Sequence, residues 1–265
     1  MKINSKYFIC FAIILASLFS GCEKVIDLTL QNASPAIVIE AVINDVNQSQ
    51  TVLITQTIGF QESTKTVPVT GATVVVKEQG GVTLNFTENK PGVYISPIYK
   101  GVPGKKYTIT VSSGNQIYTA SSIMPLPVEI ASLTQTELTF FGTKKKFVVV
   151  NYNDPAGVPN FYNTRIAVNG IKRSSYYIES DRFNDGKPVK NNIFNDEPDL
   201  VAGDMVKVEL QGIDENVYRY LFSISQITGN GGPPTAPANP DSNFNNGALG
   251  YFSACTSRID QIIIK

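Results

Sequence analysis

Ala72-Thr73-Val74-Val75-Val76-Lys77, a turn at Gly80-Gly81, and Thr83-Leu84-Asn85-Phe86-Thr87 decide the fold class of this chain. β-Branched side chains crowd the first arm and recur in the second, and they suit a pleated surface. Two such arms around glycines read as a β-hairpin. Toward the N terminus, Thr51 to Ile58 alternates, with Val52, Ile54 and Gln56 opposite Leu53, Thr55 and Thr57, as a half-buried strand does. Ala36 to Ile43 is another Val- and Ile-rich strand, interrupted by Glu40, and Gln61 to Val69 is a polar loop. Toward the C terminus, Pro91-Gly92 precedes Val93 to Ile95, Pro103-Gly104 precedes Tyr107 to Val111, and Gly114-Asn115 precedes Ile117 to Ala120. About seven short strands spaced by turn signals predict an immunoglobulin-like β-sandwich over residues 36–124.

Met124-Pro125-Leu126-Pro127 breaks the pattern. Proline lacks an amide donor and restricts the residue before it, so 125–132 reads as a semi-rigid linker to a second domain, 133–265. There Lys146 to Tyr152 is a strand that ends at the turn Asp154-Pro155-Ala156-Gly157. Phe161 to Val168 and Ile171 to Ile178 flank Asn169-Gly170, a strong hairpin signal. Glu179 to Asp199 is a polar excursion, and Asp204 to Leu210 is a strand after the turn at Gly203. The period then changes. Val217, Leu221 and Ile224 fall at helical spacing beside Tyr218 and Phe222, which predicts a helix over 213–227 with Asp214 as N-cap and Gly229 as stop. A Pro- and Asn-rich loop from Gly229 to Asn246 follows, and two strands, Ala248 to Ala254 and Arg258 to Ile264, close the chain. The predicted class is all-β: a sandwich, then a second β-rich domain with one helix.

The first residues are of another kind. Lys2 and Lys6 precede an apolar run of 13 residues, Tyr7 to Phe19, and the small residues Ser20 and Gly21 come next. This is the anatomy of a secretory signal, and the run is too short for a bilayer, which takes about 20 apolar residues. Leu18-Phe19-Ser20-Gly21-Cys22 is similar to a lipobox, in which the cysteine thiol is lipid-modified and the chain is cut before it. The expectation is a signal peptide at 1–21, a lipidated tether at 22–35, and acyl chains such as palmitate at Cys22. Each buried methylene adds about 0.8 kcal/mol, and two or more chains make anchoring stable.

Composition narrows the chemistry. Loss of residues 1–21 removes Lys2 and Lys6 and leaves 20 basic against 22 acidic side chains, a formal charge of −2. Nucleic-acid binders show a clustered basic excess, so no nucleic-acid partner is expected. The chain has no histidine, which removes Ser-His-Asp and Cys-His catalysis and the His-based zinc sites. With Cys10 in the signal and Cys22 acylated, Cys255 has no partner for a disulfide and reads as a small buried hydrophobe.

The quoted segments, taken together, resemble a family. Cys22-Glu23-Lys24-Val25-Ile26-Asp27-Leu28, the Ile37 to Ile43 strand, Val69-Thr70-Gly71-Ala72-Thr73-Val74, Pro91-Gly92-Val93-Tyr94, Gly101-Val102-Pro103-Gly104-Lys105-Lys106-Tyr107-Thr108-Ile109, Tyr118-Thr119-Ala120-Ser121-Ser122-Ile123-Met124-Pro125 and Asn246-Gly247-Ala248-Leu249-Gly250-Tyr251-Phe252 resemble an uncharacterised family of Bacteroidota lipoproteins defined by a domain of unknown function. The resemblance implies an outer-membrane lipoprotein that accompanies a TonB-dependent receptor. It supplies no catalytic residue.

Candidate sites are few. Asp181-Arg182-Phe183-Asn184-Asp185-Gly186 is spaced like the start of a calcium loop, but Phe183 and Asn192 occupy ligand positions, so it reads as a turn. Asp196, Glu197 and Asp199 are further carboxylates that the fold can bring to it. Lys144-Lys145-Lys146 reads as a solvated strand entrance, or as a contact for acidic lipopolysaccharide or a partner. The long late loop and its border, with Asn239, Asp241, Phe244, Asn245 and Tyr251, form the expected partner or ligand surface, and Phe244, Tyr251 or Phe252 suit stacking on a sugar. No catalytic residue, metal ligand or cofactor is assigned. The expected function is that of a lipid-anchored, non-catalytic accessory protein that binds or positions a solute or partner at a TonB-dependent receptor. A structural or adhesive envelope protein is the first alternative, and a carboxylate-based hydrolase the second.

Overall fold

The computed structural model describes residues 35–58, 66–194, 198–227 and 239–265. The strands in chain order are β1 (Ile37–Asn44), β2 (Gln48–Gln56), β3 (Val67–Pro68), β4 (Thr73–Glu78), β5 (Thr83–Lys90), β6 (Val93–Tyr99), β7 (Lys106–Ser113) and β8 (Gln116–Ile123). Then follow β9 (Ile130–Phe140), β10 (Thr143–Asn153), β11 (Phe161–Val168), β12 (Ile171–Lys172), β13 (Tyr177–Ser180), β14 (Pro188–Ile193), β15 (Met205–Ile213) and β16 (Leu249–Ile263). α1 (Glu215–Ile227) is the one α-helix among the described residues. The fold is therefore all-β with a single helix.

The hairpin that opened the reading is present, Val74 pairing with Phe86 and Val76 with Leu84, and all four side chains are buried. The main sheet runs in the order β12-β11-β15-β16-β1-β2-β6-β5-β4-β7-β8, and β14-β10-β9 form a smaller one. From β16 onward the main sheet curls until β8 meets β16 again. Ser122 on β8 accepts the Ala254 amide at 2.8 Å, and Asn245 accepts the Thr119 amide at 2.7 Å. Inside this sandwich-like curl lies the first core, built on Ile39, Ile54, Val76, Tyr94, Tyr107 and Ile109. The second core, with Val150, Tyr152, Tyr162, Ile166, Val208 and Leu210, lies between the small sheet and the β11–β15 end of the large one.

Several details differ from the sequence reading. The last two expected strands are one, β16, fifteen residues long. It pairs in parallel with β1, Val38 opposite Leu249 through Asn44 opposite Cys255, and antiparallel with β15. Phe244, Ala248, Phe252 and Ala254 thus enter the first core, although the reading gave all of 133–265 to a second domain. Residues 35–265 form one compact unit, because β16 serves both cores. Gly250 makes this pairing feasible: its φ is +91°, and a Cβ there would stand 2.1 Å from the Ile39 carbonyl oxygen. β9 was not foreseen because its side chains are mostly exposed and do not alternate cleanly. β14 lies inside the expected polar excursion, with Val189, Asn191 and Ile193 facing inward. The arm Ile171 to Ile178 is split into β12 and β13 by a bulge at 173–176.

Candidate functional site

α1 forms as the period predicts, and its first turn is capped as expected, Asp214 Oδ1 accepting the Val217 amide at 3.0 Å. Val217 and Leu221 pack on Ile213, Cys255 and Val42. The expected stop, Gly229, lies outside the described residues. The surface that α1 half covers is the outer face of the main sheet, opposite the second core. Alternation decides who stands there. β11 sends Tyr162, Thr164 and Ile166 inward and presents Asn163, Arg165 and Ala167, while β15 presents Lys207, Glu209 and Gln211.

These residues line a cleft of about 420 Å³. Register sets its rows. Asn163 stands opposite Gln211, and Gln211 opposite Ser257; one row on, Arg165 stands opposite Glu209. The Asn163 amide donates to Gln211 Oε1 at 2.7 Å, Gln211 Nε2 donates to Glu209 Oε1 at 3.0 Å, and the Ser257 hydroxyl donates to the same oxygen at 2.7 Å. Arg165 is fixed from the other side. Its guanidinium donates to the carbonyls of Ser175 at 3.2 Å and Arg173 at 3.4 Å and lies 4.3 Å from the centre of the Tyr176 ring. The 173–176 bulge is what brings those carbonyls and that ring inward. At the helix end, Tyr251 lies against Tyr220 with ring centres 5.2 Å apart and planes tilted by 37°, and the Tyr220 phenol is pushed up to about 12 by burial and then by Glu40. Burial also raises the Tyr251 phenol and the Glu40 carboxyl.

The expected surface residues are divided by the fold. Tyr251 lines the cleft. Phe244 and Phe252 do not face solvent: they are 7% and 0% exposed and belong to the first core, so neither is a stacking platform. The cause is the parallel pairing of β16, which turns the end of the loop inward. Asn245 is a strut that clasps β8, and Asn239 and Asp241 are exposed away from the cleft lining. Cys255 is fully buried, and burial raises its thiol, so it is the small core residue expected. Cys22 lies outside the described residues.

Asp181 and Asp185 do come together, joined by Asp154, with ligand atoms within 4.8 Å of one another. Each also holds the chain. Asp154 accepts from Tyr162 O–H and Gly186 N–H, Asp185 from Gly157 N–H, and Asp181 from Asn160 N–H. The lysine run is paired: Lys144 with Glu137 at 2.8 Å, Lys145 with Asp199 at 2.9 Å, and Lys146 with the Lys265 carbonyl. Asp196 and Glu197 lie outside the described residues.

A second concave surface is apolar. Leu138, Phe140, Phe147 and Phe194 line an open groove of about 890 Å³ beside the β9–β10 turn. Phe141 at that turn is wholly exposed with φ +47°, and Gly142 follows at +83°. A bulky residue in the left-handed region is an outlier.

These features define a class, an all-β protein with a sandwich-like curl and a polar cleft on its outer sheet face. A family model described as "Domain of unknown function (DUF4249)" matches residues 23–260, and the chain belongs to that family. No curated protein matches it.

Sequence reasoning missed Asn163, Arg165, Tyr176, Lys207, Glu209 and Gln211. The signal was the polar half of each alternating strand. What joins them is pairing across as many as 48 residues, as between Asn163 and Gln211, and local patterns do not carry that.

Proposed function

We propose that the chain is a lipid-anchored outer-membrane accessory protein, non-catalytic, that holds or positions a small polar solute at a TonB-dependent receptor. The observation that carries this reading is the cleft with its Arg165 side chain already fixed by two carbonyls and a tyrosine ring. A pocket of a few hundred Å³ with a few convergent polar groups is the usual form of a small-molecule site, and a prearranged one loses less entropy on binding. The lipobox at Leu18 to Cys22 supports anchoring, which confines the protein to two dimensions and raises its effective concentration beside a partner.

Tagging the full chain at its C terminus and purifying it from detergent-solubilised envelopes tests the reading. Recovery of a TonB-dependent barrel, acyl mass on Cys22, and release of a Cys22→Ser variant into the soluble fraction are the expected results. An unacylated mature terminus, or repeated purification without a barrel, overturns it. The exposed Phe141 and the apolar groove favour a second reading, in which contact with another envelope protein is itself the function. That reading predicts loss of partner recovery in Phe141→Ser with solute binding intact.

A further inference from the structure

We propose that the cleft recognises an anionic solute, one that carries a carboxylate, phosphate or sulfate on a body with hydroxyl or amide groups. The inference deepens the solute-binding reading above and rests on it. The charged side chains that line the cleft are Arg165, Lys172, Lys207 and Glu209, three cations against one carboxylate. Their placement is not scattered. Lys172 and Lys207 are both in register with Ala167, one on each side of it, and Arg165 projects from the same face two residues along β11. Neighbouring strands are about 4.8 Å apart and same-face residues of one strand about 6.8 Å. The three cations therefore surround a floor made of one methyl group, a hollow that a compact anion fills.

The nearby carboxylates offset only part of this charge, because Glu209, opposite Arg165, is the one carboxylate in the lining. Glu209 is turned toward Gln211 and Ser257. Asp45 is paired with Arg258 at 2.7 Å, and neither Asp45 nor Glu40 lines the cleft. The other end is polar without being cationic. Asn163 is 4% exposed, and its Oδ1 has no hydrogen-bond partner among the described residues. A buried acceptor of this kind costs free energy until an O–H or N–H reaches it. Asn163, Gln211 and Ser257 thus suit the hydroxyl or amide groups of the same solute.

The test uses the full chain in detergent at low salt, with matched probes that differ in charge: succinate against succinamide, galacturonate against galactose, and inorganic phosphate alone. Calorimetry is expected to give the acids about tenfold lower Kd than their neutral counterparts, the scale of one charge-assisted hydrogen bond. That preference should shrink in roughly 0.5 M salt, where exposed charges are screened. Lys207→Gln and Lys172→Gln, both on exposed side chains, should lower it without changing the thermal midpoint, and Lys207→Glu should reverse it. Arg165→Lys should retain part of it. Equal or tighter binding of the neutral probes overturns the anion proposal and leaves solute binding standing. Absence of binding by every probe overturns both.

Discussion

The two cores solve the same problem with different connections. The first is assembled from hairpins close in sequence, β4 with β5 and β7 with β8, and is then closed by a strand from the far end of the chain. The second also has local hairpins, β9 with β10 and β11 with β12, but its layers are joined through distant pairs, β11 with β15 and β10 with β14. Each nonetheless contains a tyrosine pair with at least one hydroxyl bonded to a carboxylate. Tyr99 donates to Glu78 at 2.5 Å beside Tyr107, while Tyr152 donates to Glu179 at 3.1 Å beside Tyr162, which donates to Asp154. Local wiring makes the first region readable from its sequence; distant wiring is what gives the second an outer face on which separate polar side chains meet.

The largest expected effect strikes what the cores share. Gly250→Val places a Cβ against the Ile39 carbonyl at a φ that valine avoids, and it should cost about 4 kcal/mol or more. Urea unfolding should show both regions weakened together. Next come paired truncations, Ile109→Ala in the first core at about 3 kcal/mol and Val208→Ala in the second at about 2 kcal/mol. Because β16 runs through both, each variant should shift one common transition seen by near-ultraviolet dichroism and tryptic cleavage alike. Two separated transitions would instead make residues 125–132 a true domain boundary. Asp214→Ala should cost about 1 kcal/mol through the lost N-cap. It also releases the Ser122 hydroxyl and the Ile123 amide, which Asp214 Oδ2 accepts, so α1 and β8 should loosen together in hydrogen exchange.

The same contrast explains what was legible. Alternation at Thr51 to Ile58 and the glycines at 80 and 81 are local signals, and the strands they announce are present within a few residues of their expected ends. Asp214 and the spacing of Val217 and Leu221 announced α1 for the same reason. Phe244 was misjudged because its neighbours are turn residues, and only the parallel pairing of β16 sends it inward. β9 was missed because an exposed edge strand needs no apolar alternation. Arg165 and Glu209 were each visible as the polar member of an alternating pair. Their meeting depends on the β11–β15 register, which no short window contains.

The smallest expected effects are also the most discriminating, because they differ in sign. In the second region burial raises the Glu179 carboxyl, against a smaller opposing effect of the Tyr152 hydroxyl. The folded chain then holds that proton more tightly than the unfolded chain, so the associated stability is present below the unfolded pKa and is lost as pH rises through the folded one. Glu179→Gln keeps an acceptor for Tyr152 and cannot ionise. Its urea midpoint relative to the parent should therefore rise between pH 4 and pH 7. Glu88 at the edge of the first region is the opposite case. The amides of Gly71, at 2.9 Å, and Gly92, at 3.0 Å, hold its carboxyl below the usual range. Its contribution is present above the unfolded pKa and disappears as pH falls through the folded one, so the deficit of Glu88→Gln should be greatest near pH 7 and vanish in acid. Parallel pH profiles for the two variants would mean that burial at Glu179 does not outweigh its hydrogen bond. Crossing profiles would fix the desolvated carboxylate in the second core and the amide-bound one at the rim of the first.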